Sequence, residues 1–263
     1  MNSVNPKLSA VILAAGKGTR MNSDLPKVMH HIAGRPIVEW VVDACRAAGA
    51  ERIIVVVGHS GELVRDALGD HPDVEFVEQK EQLGTGHAVD MARPVLERHP
   101  EENVFVLCGD GPLIQSSTLA TLLDTHTQTQ AGGTLATAVI PDPSGYGRIV
   151  RNSTGEFERI VEQKDASPEE LELGEVNPSY YCFNAASLLN ALSRVSNDNA
   201  SGEYYITDVF KIMLDSGEPV GVVAAVPPED ILSINTPEDL KMVERVLVDR
   251  IGSPDTSAQE ESR

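Results

Sequence analysis

The apolar run from Ser9 to Leu13 passes directly into Ala14-Ala15-Gly16-Lys17-Gly18-Thr19-Arg20-Met21, with Asp24-Leu25-Pro26-Lys27 close behind. Such a run reads as a buried first strand. A loop that leaves the end of a buried strand is where open α/β sheets bind ligands. Gly16 and Gly18 allow backbone angles closed to other residues and let a ligand approach the main chain. Successive N–H groups in such a loop form a nest for an anion. Lys17, Arg20 and Lys27 add full positive charges, and an arginine can grip a phosphate with two hydrogen bonds. The chemistry predicted is the binding of a polyphosphate. A P-loop is excluded, since position 11 is Val and Gly18 is followed by Thr19 and Arg20. A dinucleotide fingerprint is excluded, since Met21 stands where its third glycine belongs.

The plain alternative is a glycine turn with solvated lysines, and the charge distribution argues against it. Residues 1–35 carry five basic residues and one acidic residue, a net +4, whereas the whole chain carries −19, leaving −23 for the remainder. A basic island in an acidic protein marks an electrostatic site for an anion. The overall acidity opposes nucleic acid and anionic membrane as partners. Aromatic residues, at 4%, are too few for a base-stacking platform. Cys45, Cys108 and Cys182 are widely separated and have no metal-ligand spacing. They read as buried thiols in a reducing compartment. No stretch approaches the roughly 20 apolar residues of a membrane span, and the protein is expected to be cytoplasmic. Nothing in the sequence fixes its oligomeric state.

Strand and helix patterns alternate. Apolar strands are predicted near 9–14, 52–57, 74–77 and 103–108, with helices near 36–48, 60–68 and 85–98. Gly49 suits a helix stop and Ser60 an N-cap. This alternation predicts an α/β fold with a mostly parallel sheet covered on both faces. Further on, 134–140 reads as a strand and 146–162 as a hairpin turning at Asn152 to Gly155. Ser167-Pro168 and Thr236-Pro237 each open a helix, the second running to about residue 250. The expected organisation is one domain over 8–250, with the hairpin region of about 141–180 as a small lobe over the site. Residues 251–263 read as a polar, disordered tail.

Three further features carry chemistry. Gln79-Lys80-Glu81-Gln82-Leu83-Gly84-Thr85-Gly86-His87 places two glycines at a helix entry, where free N–H groups attract anions. The Gln79 amide can read a base edge, although an ordinary glycine-rich helix entry remains the alternative. Val104 to Cys108 reads as a buried strand ending in Gly109-Asp110, a carboxylate at the same sheet edge as the first loop. A hard ion such as Mg²⁺ takes one or two protein oxygens together with substrate phosphates, and Asp110 suits that task. Asn177, Tyr205 and Thr207 offer hydrogen-bonding groups suited to a sugar or a phosphate, Gly147 lies in a glycine-flanked segment that lets backbone approach a ligand, Glu162 follows the strand Arg159 to Val161, and Asn235 offers a second oxygen to a metal. Each is individually weak, because such residues are common at turns and surfaces.

With these residues laid out, the chain resembles the sugar-nucleotide pyrophosphorylases. More narrowly, it resembles the uridyltransferase half of the bifunctional bacterial enzymes that make UDP-N-acetylglucosamine. The segments that carry the resemblance are LAAGKGTRM, SDLPKV, EQLGTGHA, the Gly109-Asp110 strand end, GYGRI, VEQKDA, SNDNASGEYYITD and Ile234-Asn235. They span residue 8 to about 250. The resemblance implies a Rossmann-like nucleotidyltransferase fold, Mg²⁺ as cofactor, and small-molecule substrates UTP and N-acetylglucosamine 1-phosphate. It places uracil on Ala15, Gly16, Gln79 and Gly84, with Thr85 touching the nucleotide and Lys17 and Gly18 in the same loop. Arg20 and Lys27 become the catalytic cations, and Asp110 and Asn235 the metal ligands. Gly147, Glu162, Asn177 and Thr207, with Tyr205 nearby, hold the sugar phosphate.

Two segments depart from the family pattern. Gly111 stands where Val is usual, and Asn177-Pro178-Ser179 replaces Asn-Thr-Gly at the expected sugar wall. The family's acetyltransferase half, built of hexapeptide repeats, has no counterpart in these residues, so acetyl transfer is not expected of them. The other readings are a pyrophosphorylase for a different sugar 1-phosphate or nucleotide, and a catalytically silent nucleotide-sugar binding protein.

Overall fold

The expected first strand runs from Leu8 to Ala14 and is apolar apart from Ser9, whose buried hydroxyl donates to Glu102, because both of its faces are covered. Ala10, Ile12 and Ala14 enter one core cluster and Val11 the other. A strand buried on both faces has no polar side to alternate with. The computed structural model describes residues 7–58 and 60–252. In chain order the strands are β1 (Leu8–Ala14), β2 (His31–Ile32), β3 (Arg35–Pro36), β4 (Arg52–Val57), β5 (Val74–Glu78), β6 (Asn103–Cys108), β7 (Gly133–Val139), β8 (Gly147–Arg151), β9 (Phe157–Val161), β10 (Glu175–Asn184) and β11 (Val220–Val223). The helices are α1 (Ile37–Ala47), α2 (Gly61–Leu68), α3 (Thr85–Asp90), α4 (Arg93–Leu96), α5 (Ser116–Thr129), α6 (Pro168–Leu171), α7 (Ala185–Leu192), α8 (Asp208–Asp215) and α9 (Pro237–Gly252).

The main sheet has the order β11-β7-β10-β6-β1-β4-β5. Strands β6, β1, β4 and β5 are parallel neighbours. Strand β10 runs antiparallel between β6 and β7. The sheet is therefore mostly parallel and mixed, as expected. The β8–β9 hairpin stands off this path and joins it by pairing Val176 and Asn177 of β10 with Arg148 and Gly147. Helices α1, α2 and α5 cover one face of the sheet, and α3, α4, α7 and α8 cover the other. A third cluster joins Val243 and Leu247 of α9 to Met21, Ile32, Ile37, Leu113 and Ile234.

Several local expectations are corrected. The helix predicted over 85–98 is two short helices, because Pro94 sits in the first turn of the second and has no N–H to continue the first. Ser60 precedes α2 but adopts φ 58° and makes no side-chain cap. The side-chain cap and reciprocal Glu170 bond expected of a capping box are instead made by Ser167. Of the expected tail, 251 and 252 belong to α9, and 253–263 lie outside the described residues. No described helix is long and apolar enough to cross a membrane.

Candidate active site

The parallel strands end in register, with Leu13 opposite Cys108, Ala14 opposite Val57 and Val57 opposite Glu78. The loops that begin at Ala15, Gln79 and Gly109 therefore leave the same edge side by side. Two glycines bring chain segments closer than a side chain permits. Gly18 has φ 61°, and a Cβ there would lie 2.7 Å from Cβ of Lys27. Gly84 has φ 113°, and a Cβ there would lie 2.5 Å from the Tyr204 carbonyl oxygen. That approach is closed by two backbone bonds, from the Gly86 N–H to the Tyr204 carbonyl at 2.7 Å and from the Tyr204 N–H to the Leu83 carbonyl at 2.8 Å.

Between these loops lies a cavity of about 230 Å³ lined by Ala15, Gly16, Lys27, Gln79, Gly84, Thr85 and Asp110. Gln79 is buried, and its amide nitrogen donates to the Gly84 carbonyl at 3.1 Å and lies 3.0 Å from Nδ1 of His87. The amide N–H groups thus hold the loop, and the remaining polar atom of the side chain is its oxygen. Oγ1 of Thr85 accepts from the Ile206 N–H at 3.1 Å. Gln82, not foreseen as a site residue, donates to the Ala15 carbonyl at 2.6 Å and lines the same cavity with Glu203. Its only sequence signal was a place two residues before Gly84, which any solvated loop residue shares.

Lys27 and Asp110 of this lining belong to a cluster of cations and oxygens that continues behind it to Arg20 and Asn235, which line none of the site's cavities. Nζ of Lys27 pairs with Asp110 and also donates to Oδ1 of Asn235 at 3.1 Å. Nη2 of Arg20 donates to the same Asn235 oxygen at 2.9 Å. Local capping holds Asn235 in place. Its N–H and that of Thr236 donate to Asp239 at 2.9 and 2.8 Å, and the Asp239 N–H donates to the Thr236 hydroxyl at 3.1 Å. The preceding Ile234 N–H donates to the Asp110 carbonyl at 3.0 Å, which ties the two oxygen-bearing segments together. Asp230, buried and also unforeseen, is held by Gln115 at 2.6 Å and by Arg250 of α9 at 2.5 Å. The carboxylate of Asp110 and the amide oxygen of Asn235 form a hard oxygen pair that already converges on a cation, the Lys27 ammonium. Their chemistry fits Mg²⁺. Among the described residues no group of three or more His, Cys, Asp or Glu could hold a metal, so such an ion would complete its shell with phosphate and water oxygens.

Across Asp110 lies a second cavity of about 170 Å³, reached by Gly147, Glu162 and Asn177. Strand β10 shifts register between Val176 and Tyr180, and within that bulge Ser179 adopts φ 66°. Asn177 donates to the Tyr181 hydroxyl at 2.7 Å and accepts from the Ser179 N–H at 3.1 Å. Glu162 accepts from the Thr207 hydroxyl at 3.0 Å, and burial pushes its carboxyl above the ordinary range. Thr85, Glu162 and Thr207 line a smaller cavity of about 130 Å³ beside it. Cys108 borders all three cavities, but burial pushes its thiol up to about 12. It stays protonated at neutral pH and is no nucleophile. Lys17 and Tyr205 line none of the three, and Lys17 is exposed at the loop tip.

The sequence profile of the nucleotidyl transferase family matches residues 9–249. A bifunctional protein GlmU of Brevibacillus brevis is 48% identical over 245 residues, covering 93% of this chain and 52% of that protein. The protein of the same name from Heliobacterium modesticaldum is 48% identical, covering 93% of this chain and 53% of its own length. The chain thus spans about half the length of these relatives. A crystal structure of UDP-glucose pyrophosphorylase complexed with UDP-glucose superposes with a TM-score of 0.72 at 18% identity, covering 93% of this chain and 99% of that one, which shows a shared fold.

Proposed function

That this chain belongs to the nucleotidyl transferase family is the premise from which we propose its reaction, the transfer of a uridylyl group from UTP to N-acetylglucosamine 1-phosphate. One observation carries the proposal. Asp110 lines both the 230 Å³ and the 170 Å³ cavity and is joined to Lys27 and, through it, to Asn235 and Arg20. The cations therefore stand where a nucleotide on one side meets a second anion on the other.

UTP lies in the first cavity, its uracil against Ala15, Gly16, Gln79 and Gly84 and its phosphates toward Thr85 and the Lys17-Gly18 loop. The sugar phosphate occupies the second cavity, with Gly147, Asn177, Thr207 and the raised-pKa Glu162 holding its polar groups and Tyr205 behind them. A phosphate oxygen of the sugar phosphate attacks the α-phosphorus in line. One P–O bond forms, the bond to the β-phosphate oxygen breaks, and pyrophosphate departs with the electron pair. No covalent enzyme intermediate is needed. Catalysis is then positioning and charge neutralisation, with Lys27 and Arg20 meeting the charge that develops on the phosphates. Asp110 and Asn235 would hold Mg²⁺, which supplies neutralisation between two mutually repelling anions.

Gly111 and the Pro178-Ser179 bulge border the sugar cavity, so this wall is where a different sugar 1-phosphate would be selected. The test is pyrophosphate release with Mg²⁺, crossing four nucleoside triphosphates with N-acetylglucosamine 1-phosphate and glucose 1-phosphate. Release with UTP and the N-acetyl sugar alone is expected. Release with another pair keeps the reaction and moves the substrate. No release with any pair, while a UDP-sugar still binds, indicates a silent binding protein.

A further inference from the structure

Lys27 has two roles to reconcile. As a catalytic cation its ammonium belongs on the phosphates, yet here it lies on both oxygens that suit a metal, paired with Asp110 and 3.1 Å from Oδ1 of Asn235. That Asn235 oxygen also holds Arg20 at 2.9 Å. The Lys27 and Asp110 side chains are each only 16% exposed, so the pair is not loosely solvated. Its place is set from outside the site, because Gly18 admits the Lys27 backbone against the first loop. The Ile234–Asp110 backbone bond fixes the separation of the oxygen-bearing segments.

From this geometry we infer that Lys27 is a resident placeholder for the divalent cation. In the free protein its ammonium neutralises Asp110 and keeps the Asp110 and Asn235 oxygens converged. Occupation of that oxygen pair by a divalent ion expels the ammonium and at the same time withdraws the Asn235 oxygen from Arg20. One exchange therefore arms both cations, which turn to the phosphates only after the metal seat is filled. The two cations would otherwise be spent on their own protein. The ion pair also spares the chain an uncompensated, partly buried carboxylate, which is costly.

This rests on the reading of Asp110 and Asn235 as metal ligands, and the two ideas fail separately. Mn²⁺ serves as the probe, its binding to the substrate-free protein followed by electron paramagnetic resonance. Lys27→Met should tighten Mn²⁺ by about tenfold or more, since affinity is reduced by whatever fraction of the protein keeps the seat filled. Lys17→Met removes the same charge from the same loop without touching the pair and should shift binding less than about twofold. Equal tightening in both variants would mean long-range charge alone and would overturn the placeholder. Unchanged or weaker binding in Lys27→Met would overturn it too. Asp110→Asn tests the underlying reading, because undiminished Mn²⁺ binding there removes the metal site altogether. The unaltered protein gives an independent readout. Mn²⁺ should raise the rate at which an amine-acylating reagent labels Lys27, read by peptide mass spectrometry, and an unchanged or lowered rate contradicts the exchange.

Discussion

The two cavities that share Asp110 are built in different ways. The first is made from consecutive residues at the ends of parallel strands, where backbone and amide groups dominate and two glycines permit close approach. The second is assembled from a hairpin, a bulged antiparallel strand and the segment of Ile231 and Ser233 ahead of α9, and its polar groups, the partly buried Glu162 and the buried Asn177, are bonded to other side chains. Rigid local geometry in the first suits an invariant feature such as a base and its phosphates. The second owes its shape to distant contacts and can be retuned by single substitutions. The proposed activity depends on the seam between them, so perturbations should separate into those that disable the seam, those that spoil one cavity, and those that only adjust its wall.

The seam should show the largest effect. Lys27→Ala is expected to lower turnover by about two orders of magnitude or more, by analogy with the loss of other charge-stabilising donors. Steady-state kinetics decide this, and near-normal turnover removes Lys27 from the catalytic set. On the nucleotide side, Gly84→Ala forces a Cβ to within 2.5 Å of the Tyr204 carbonyl at a positive φ. A cost of about 2 kcal/mol in stability is expected, measured by chemical denaturation, with the KM for UTP rising and that for the sugar phosphate little changed. Equal damage to both constants would erase the distinction between the cavities.

Glu162→Gln tests the other cavity. The KM for the sugar phosphate should rise about tenfold as a charged hydrogen bond becomes neutral, with the KM for UTP nearly constant. This variant also carries a stability signature. The folded carboxyl titrates above its ordinary value of 4.5, mainly through burial. Stability from the protonated form is therefore complete below pH 4.5 and is lost as pH climbs through the folded value. The Gln variant escapes that loss, so thermal melts should show it more stable at neutral pH and equal to the parent near pH 4. Ser179→Gly should have the smallest effect, a stabilisation of about 0.5 kcal/mol. It relieves a left-handed backbone while returning some freedom to the unfolded chain. A loss of stability there would mean that the Ser179 hydroxyl, which faces Cys108 and Tyr181, outweighs the strain.

The same contrast explains what was legible in the sequence. Strands β1, β4 and β6 announce themselves because both faces are apolar, and the loops that follow them sit where the parallel register must put them. Ala15, Gly16, Gln79, Gly84 and Asp110 come together for that reason alone. Strand β10 gave no such signal. Its Asn177-Pro178-Ser179 bulge breaks the period of two, and its partners β6 and β7 are distant in sequence. Pro94 was visible, but the helical pattern on either side concealed the break it causes. Gln82, Asp230 and Arg250 act through one or a few tertiary bonds each, which leave no periodic trace. Gln79 was foreseen as a reader of a base edge; its N–H groups hold the loop, which leaves its oxygen for that task.

Strand β10 lies in the middle of the sheet, between β6 and β7, although both are made before it. During synthesis on the ribosome, those two strands emerge with facing edges that have no lasting partner until residues 175–184 arrive. Unsatisfied edges invite wrong pairings, and contacts between distant residues slow folding. The loops after β1 and β6 can take shape early, but the Gly84 turn must wait for Tyr204 and the wall that carries Asn177 for the insertion of β10. Timing thus separates the strand-end loops from the rest of the site, and a nascent chain paused before Glu175 would hold those loops with neither Tyr204 to close the Gly84 turn nor an acceptor wall beside them.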